Sequence, residues 1–157
     1  MNPASVLKHI WIMFVLVTCA NGLVWRFRAR AHIRAQPELA EGYGTLIRGL
    51  LFWGNAPWVV MGLGLEIGGV PNILHYFRPR DGNPWVLSFF VSAVVVWALS
   101  IQWIFFRGGA EMLLRYPGLF NQPITSPTAV KVCCLAALAG GIVGLLLMFL
   151  WDVPVPF

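Results

Sequence analysis

The stretch LIRGLLFWGNAPWVVMGLGLEIGGV, residues 46–70, decides how this chain is read. It is long and apolar enough for a bilayer-crossing helix, yet it carries Asn55, Pro57, Glu66 and several glycines. A carboxylate in hydrocarbon is costly, and Pro57 deprives the carbonyl four residues earlier of its helical donor. Such a segment persists in lipid only when neighbouring helices cover it. The expectation is an all-α membrane protein, a four-transmembrane-helix bundle packed around this stretch. It forms a single integral membrane domain over residues 1–157, with short interfacial helices in the cytoplasmic connections.

Composition agrees. Of the 157 residues, 59% are hydrophobic and 11% charged, whereas soluble domains carry roughly a quarter charged residues. Three further apolar runs, 6–25, 85–106 and 129–151, approach the ~20 residues that cross a ~30 Å hydrocarbon core. The first is read as retained rather than as a cleaved signal peptide. Only Lys8 stands at its front while Arg26, Arg28, Arg30 and Arg34 follow, the reverse of a signal peptide's charge order. Cys19, Cys133 and Cys134 lie within apolar runs and lack zinc or disulfide spacing, so they read as small buried hydrophobes.

Orientation follows from the basic residues. Arg26, Arg28, Arg30, Arg34, Arg48, Arg107, Arg115 and Lys131 flank the first and third connections, against Lys8, Arg78 and Arg80 on the other side. Positive charge stays inside, so those two connections are expected in the cytoplasm and both termini outside it; a bacterial inner membrane is the simplest home. Trp11, Trp85 and Trp151 would then form an outer aromatic belt, and Trp25 with Trp103 an inner one. The net charge of +5 comes with no nucleic-acid module, so no nucleic-acid partner is expected. Arg26, Arg30 and Arg34 follow one another at four-residue spacing on one helical face until Pro37 stops it. That face is assigned to contact with anionic lipid or an acidic partner.

Five residues are candidates for an ion or substrate site: Glu66, Asn55, His9, His75 and Gln102. An intramembrane glutamate suits a proton or cation path, and amides suit polar ligands or interhelical hydrogen bonds. The competing structural expectation pairs Glu66 with Lys8, Arg78, Arg80 or a backbone amide. His9 and His75 raise the idea of axial haem ligation, but one isolated pair with a member in a loop is a thin basis. No cofactor or metal is expected. Small residues mark packing faces: Ala136, Gly140 and Gly144 in the fourth run, with Ala137 and Gly141 beside them, and Gly64 with Gly68 in the second; the two faces are expected to meet within the chain, the alternative being that one faces another protein. Trp25, Phe27, Arg28, Pro37 and Leu39 also match Trp103, Phe106, Arg107, Pro117 and Leu119 at offsets near half the chain, a weak sign of duplicated hairpins.

The segment RARAHIRAQPELAE, residues 28–41, is loosely similar to the end of helix one in the glutathione-using MAPEG membrane enzymes, which have four spans. That resemblance implies glutathione chemistry at a basic motif. Gln36-Pro37 stands where the family has an uninterrupted helix bearing Asn, and the hairpin that follows is missing, so the chain is not assigned to that family. No nucleophile elbow, phosphate loop or paired-cysteine motif accompanies the carboxylate. The reading is an accessory or structural multi-pass subunit that packs with other membrane subunits or its own copies and with lipids. The alternative is a small transporter, channel or membrane enzyme centred on Glu66, the enzyme being the less favoured case.

Overall fold

A computed structural model describes residues 3–120 and 124–151, and among these there is no β-strand. The helices are α1 (Pro3–Ala35), α2 (Ala40–Glu66), α3 (Pro84–Ile101), α4 (Gly109–Arg115) and α5 (Pro127–Leu150). Four of them, α1, α2, α3 and α5, are long and apolar enough to cross a membrane. α1 continues past Trp25 through its arginines and stops before Pro37, as the arginine spacing implied, because proline cannot continue the ladder. α2 departs from the expected 46–70 at both ends, and it starts at Ala40. α2 ends at Glu66 rather than at Val70. Gly69 there takes a left-handed φ of 71°, and the Val70 N–H donates back to the Gly64 carbonyl at 3.0 Å, closing the helix.

The connections are built from local caps. Asn72 Oδ1 accepts from the Leu74 N–H and Asn83 Oδ1 from the Trp85 N–H, each at 2.9 Å. Ser126 Oγ accepts from the Ala129 N–H at 3.1 Å. Pro84 and Pro127 each open their helix where a missing N–H costs nothing. After α3 the chain makes a π-helical turn, Gln102–Phe106, and reverses through left-handed Gly108 into α4.

Packing relies on aromatic rings seated on glycine. A methyl group on Gly62 of α2 would lie 2.6 Å from the Trp11 indole of α1, and one on Gly68 would lie 2.6 Å from the Trp85 indole of α3. Gly64 receives the Tyr76 hydroxyl and Trp85, and Gly42 receives the Tyr116 ring. Two cores result, one at each end. Ala29, Tyr43, Leu46, Ala110, Leu113, Leu119 and Val130 form the first. Met61, Leu65, Val70, Tyr76, Val86, Phe89 and Phe90 form the second. Trp11 and Trp85, expected in an outer belt, thus serve as packing rings, whereas Trp151 is exposed.

α5 stands apart. It touches α4 and the loops, and meets α3 where Gly141 takes the Trp97 ring, 2.7 Å from the place a methyl would occupy. The expected meeting of the two small-residue faces does not occur. Gly64 and Gly68 are filled by Tyr76 and Trp85, Ala136 and Gly140 are exposed, and a methyl on Gly140 or Gly144 would find nothing within 4 Å. The Trp97 ring selects Gly141, the neighbour of the expected stripe. The hairpins also pack differently, α1 along the length of α2 but α3 only sparsely on α5, so the duplication gains no support.

Two outcomes follow. Gly68→Leu is expected to lower the thermal unfolding midpoint in detergent, by an amount corresponding to about 1–3 kcal/mol of overpacking, while Gly140→Leu leaves the isolated chain unchanged. Tyr76, in the loop after α2, donates to the Met61 carbonyl at 3.0 Å, and burial pushes its hydroxyl up to about 12. The folded state therefore holds this proton more firmly than the unfolded chain, whose tyrosines titrate near ~10. Its contribution is complete below about pH 10 and is lost as pH rises towards 12. Tyr76→Phe is expected to shallow that alkaline loss in a pH series of unfolding midpoints.

Candidate functional site

The carboxylate of Glu66 gathers three side chains from α1. Trp11 rests on Gly62, one turn before Glu66, and this contact brings the start of α1 alongside the end of α2. Trp11 Nε1 donates to Glu66 Oε1 at 3.2 Å, and His9 Nδ1 lies 2.9 Å from the same oxygen. Lys8 Nζ stands 3.8 Å from Oε2. Glu66 thus accepts from a neutral indole, pairs with an ammonium and lies within hydrogen-bond distance of an imidazole. A third of its side chain, 33%, remains exposed.

This corrects the expectation of an acid hidden inside the bundle. Because α2 ends at Glu66, the carboxylate sits at a helix terminus. Lys8 is the expected partner that reaches it; Arg78 instead pairs with Asp81, Nε to Oδ2 at 3.4 Å. Trp11 escaped the sequence reading as a ligand of the carboxylate, although Lys8 and Trp11 lie three residues apart and so share a face of α1.

The other candidates lie elsewhere. His75, in the turn Ile73–Phe77, places Nδ1 3.3 Å from Asn72 Oδ1, so it and His9 engage different partners. Asn55 Nδ2 donates to the Leu51 carbonyl at 2.8 Å and approaches Cys19 Sγ at 3.9 Å. Its Oδ1 is buried with no donor among the described residues. Gln102 is exposed at the start of the π-helical turn. Of the five residues expected at a site, the structure brings together His9 and Glu66. Among the described residues, no group of three or more His, Cys, Asp or Glu is placed to hold a metal.

Polar side chains within the apolar helices turn back on their own backbone. Thr18 donates to the Phe14 carbonyl at 3.1 Å, Ser88 to Pro84 at 2.7 Å, Ser92 to Phe89 at 2.7 Å and Ser100 to Val96 at 2.8 Å. These hydroxyls bond within their own helices, whereas Asn55 bonds both to Leu51 of its own helix and, across to α1, to Cys19, the interhelical contact expected of an amide. The groove between α3 and α5, about 360 Å³, is lined by Val94, Trp97, Ile101, Leu138, Ile142 and other apolar side chains. None of this forms a polar path through the helices. At the opposite end from Glu66, Arg26, Arg30 and Arg34 are exposed on α1, and the Arg30 guanidinium lies 5.7 Å from the Phe27 ring centre.

The cluster therefore acts as a clamp between α1 and α2. Glu66→Gln is expected to lower the unfolding midpoint, and His9→Ala to have less effect in that background than in the native one. Strict additivity in the double-mutant cycle would show that the two groups do not interact. Comparison with known proteins finds no matching family model, no matching curated protein and no matching solved structure, so the reading of this site rests on its geometry.

Proposed function

We propose that this chain is an integral membrane protein with a structural role, an accessory subunit that packs against other membrane subunits or its own copies and against lipid. Insertion is supported by the spacing of its polar ends. Lys8 and Arg26 on α1 are 18 positions apart, as are Arg48 and Glu66 on α2; Trp85 and Arg107 are 22 apart, and Lys131 and Trp151 are 20 apart. At the helical rise these intervals measure about 27, 27, 33 and 30 Å, the thickness of a bilayer core. The excess of arginine at one end argues for that end in the cytoplasm, both termini outside, and α4 lying at the inner interface. A bacterial inner membrane is the proposed location.

One observation carries the subunit reading. α5 packs more sparsely on the other long helices than they do on one another, and it leaves Ala136, Gly140 and Leu147 exposed, with nothing within 4 Å of a methyl placed on Gly140. Small residues on an outward helix face allow close approach of another helix. The hydroxyls of Thr18, Ser88, Ser92 and Ser100 are committed to their own helices, and Glu66 pairs with Lys8 at a helix end.

The test is a mass measurement on the native chain, extracted from its own membrane in mild detergent. A stable complex larger than one copy is expected, with Gly140→Leu reducing it while the isolated chain keeps its unfolding midpoint. A monomer throughout, indifferent to that substitution, would overturn the subunit reading.

A further inference from the structure

The chain's net charge resides at one end of its helices. Arg26, Arg28, Arg30, Arg34, Arg48, Arg107, Arg115 and Lys131 stand there against Glu38, Glu41 and Glu111, which accounts for the full +5. At the other end Lys8, Arg78 and Arg80 are matched by Glu66, Asp81 and, in chain order, Asp152. The pairing differs too. The balanced end ties Lys8 to Glu66 at 3.8 Å and Arg78 to Asp81 at 3.4 Å. At the basic end Lys131 meets Glu111 at 3.7 Å, but among the described residues no carboxylate lies within ion-pair distance of Arg26, Arg30, Arg34 or Arg107.

Helix contacts fix the levels of these cations. Thr18 opposite Gly54, Gly22 opposite Leu51 and Trp11 opposite Gly62 run α1 and α2 antiparallel, so Arg48 falls level with Trp25 and Arg26. Trp85 on Gly64 and Gly68 places Arg107 about one turn further out, and Trp97 on Gly141 places Lys131 beside it. The cations thus occupy a band roughly two turns deep, continued outward along α1 by Arg30 and Arg34. Next to it, towards the helix centres, the surface is apolar: Leu23, Phe52, Phe106 and Leu135 are each more than half exposed. Arg30, drawn over the Phe27 ring, lies along that boundary.

We propose that this band is a binding site for acidic phospholipids, with the guanidinium groups of Arg26, Arg30 and Arg34 holding phosphates whose acyl chains lie on the apolar surface beneath. Guanidinium offers paired donors to phosphate oxygens, and its attraction to an anionic leaflet adds to that. A phosphate carried on hydrocarbon matches both halves of the surface, whereas an acidic protein would match only its charge. The proposal rests on the membrane-spanning part of the preceding reading and not on its subunit part.

The test uses the full chain reconstituted from detergent into bilayers of equal parts phosphatidylglycerol and phosphatidylcholine, with retained lipids counted by native mass spectrometry. Reconstitution from detergent separates lipid retention from the arginines' effect on insertion. The native chain is expected to retain phosphatidylglycerol several-fold over its bulk share. Arg26→Gln, Arg30→Gln and Arg34→Gln together should remove roughly tenfold of that preference, or all of it if it is smaller, whereas Lys8→Gln with Arg80→Gln leaves it intact. Raising salt from about 0.05 to 0.5 M should weaken it in the native chain, a readout that needs no variant. Retention at the bulk ratio, a preference insensitive to both salt and the triple substitution, or an acidic protein bound in place of lipid would overturn the proposal. The same spectra report mass: lipid enrichment around a monomer sinks the subunit reading alone, and a larger complex without enrichment sinks this one alone.

Discussion

The contact on which the rest depends is the seating of an aromatic ring against a glycine of α2. In hydrocarbon, lipid tails solvate apolar side chains as well as another helix does, so helices associate through close contact and not through exclusion of water. Glycine supplies the closest approach available, and a flat ring covers the exposed backbone most completely. Gly62 and Gly64 are about 200° apart around the helix, so they face opposite ways. Trp11 enters from α1 on one side, and Trp85 with Tyr76 enters from α3 and its preceding loop on the other. This arrangement makes α2 the middle of a three-helix layer. It also explains why Glu66, on the Gly62 side, meets α1 residues and not Arg78.

Features governed by local chemistry were legible in the sequence. Four apolar runs became four long helices; Pro37 ended the first; Ser126-Pro127 and Asn83-Pro84 opened the last two. Charged residues propagate a helix well, so α1 continues through its arginines until proline intervenes, as their four-residue spacing implied. The ends of α2 were less legible, because there the limit of an apolar run is not the limit of a helix. Gly69 stopped α2 early for a converse reason, since its left-handed backbone ends a helix whatever the hydrophobicity of Ile67 and Val70.

Partner choice was the least legible part of the candidate site. Lys8 could be named from charge alone, but Trp11 has two uses near a bilayer surface, as an interfacial anchor and as a hydrogen-bond donor, and sequence does not separate them. The same limit applies to Gly140 and Gly144. A small-residue stripe records that close approach is permitted without recording which ring arrives, and Trp97 reaches Gly141 instead. In sequence Asn55 reads as looking across helices, and it does reach Cys19, yet an amide on a helix also has a carbonyl of the preceding turn within reach at no cost in assembly, and it takes that of Leu51.

That self-sufficiency bears on α5. A helix in lipid has its backbone donors and acceptors paired internally, so it needs no neighbour to be stable, only to be positioned. α1, α2 and α3 are positioned by close contacts on glycine, Trp11 on Gly62, Thr18 on Gly54, Leu51 on Gly22 and Trp85 on Gly68, while α5 is held by Val130 in the basic-end core, by Lys131 on Glu111 and by Trp97 on Gly141. All three attachments lie in the first fifteen residues of the helix. The remainder, through Leu150, meets the rest of the chain mainly through apolar side chains such as Phe149 on Phe90. Apolar contacts of this kind exchange for lipid or for another helix with little change in free energy, unlike the ring-filled glycines. The chain thus combines a three-helix layer locked at its glycines with a fourth helix whose far half is held by exchangeable apolar contacts, Leu145 and Met148 on the second core and Phe149 on Phe90.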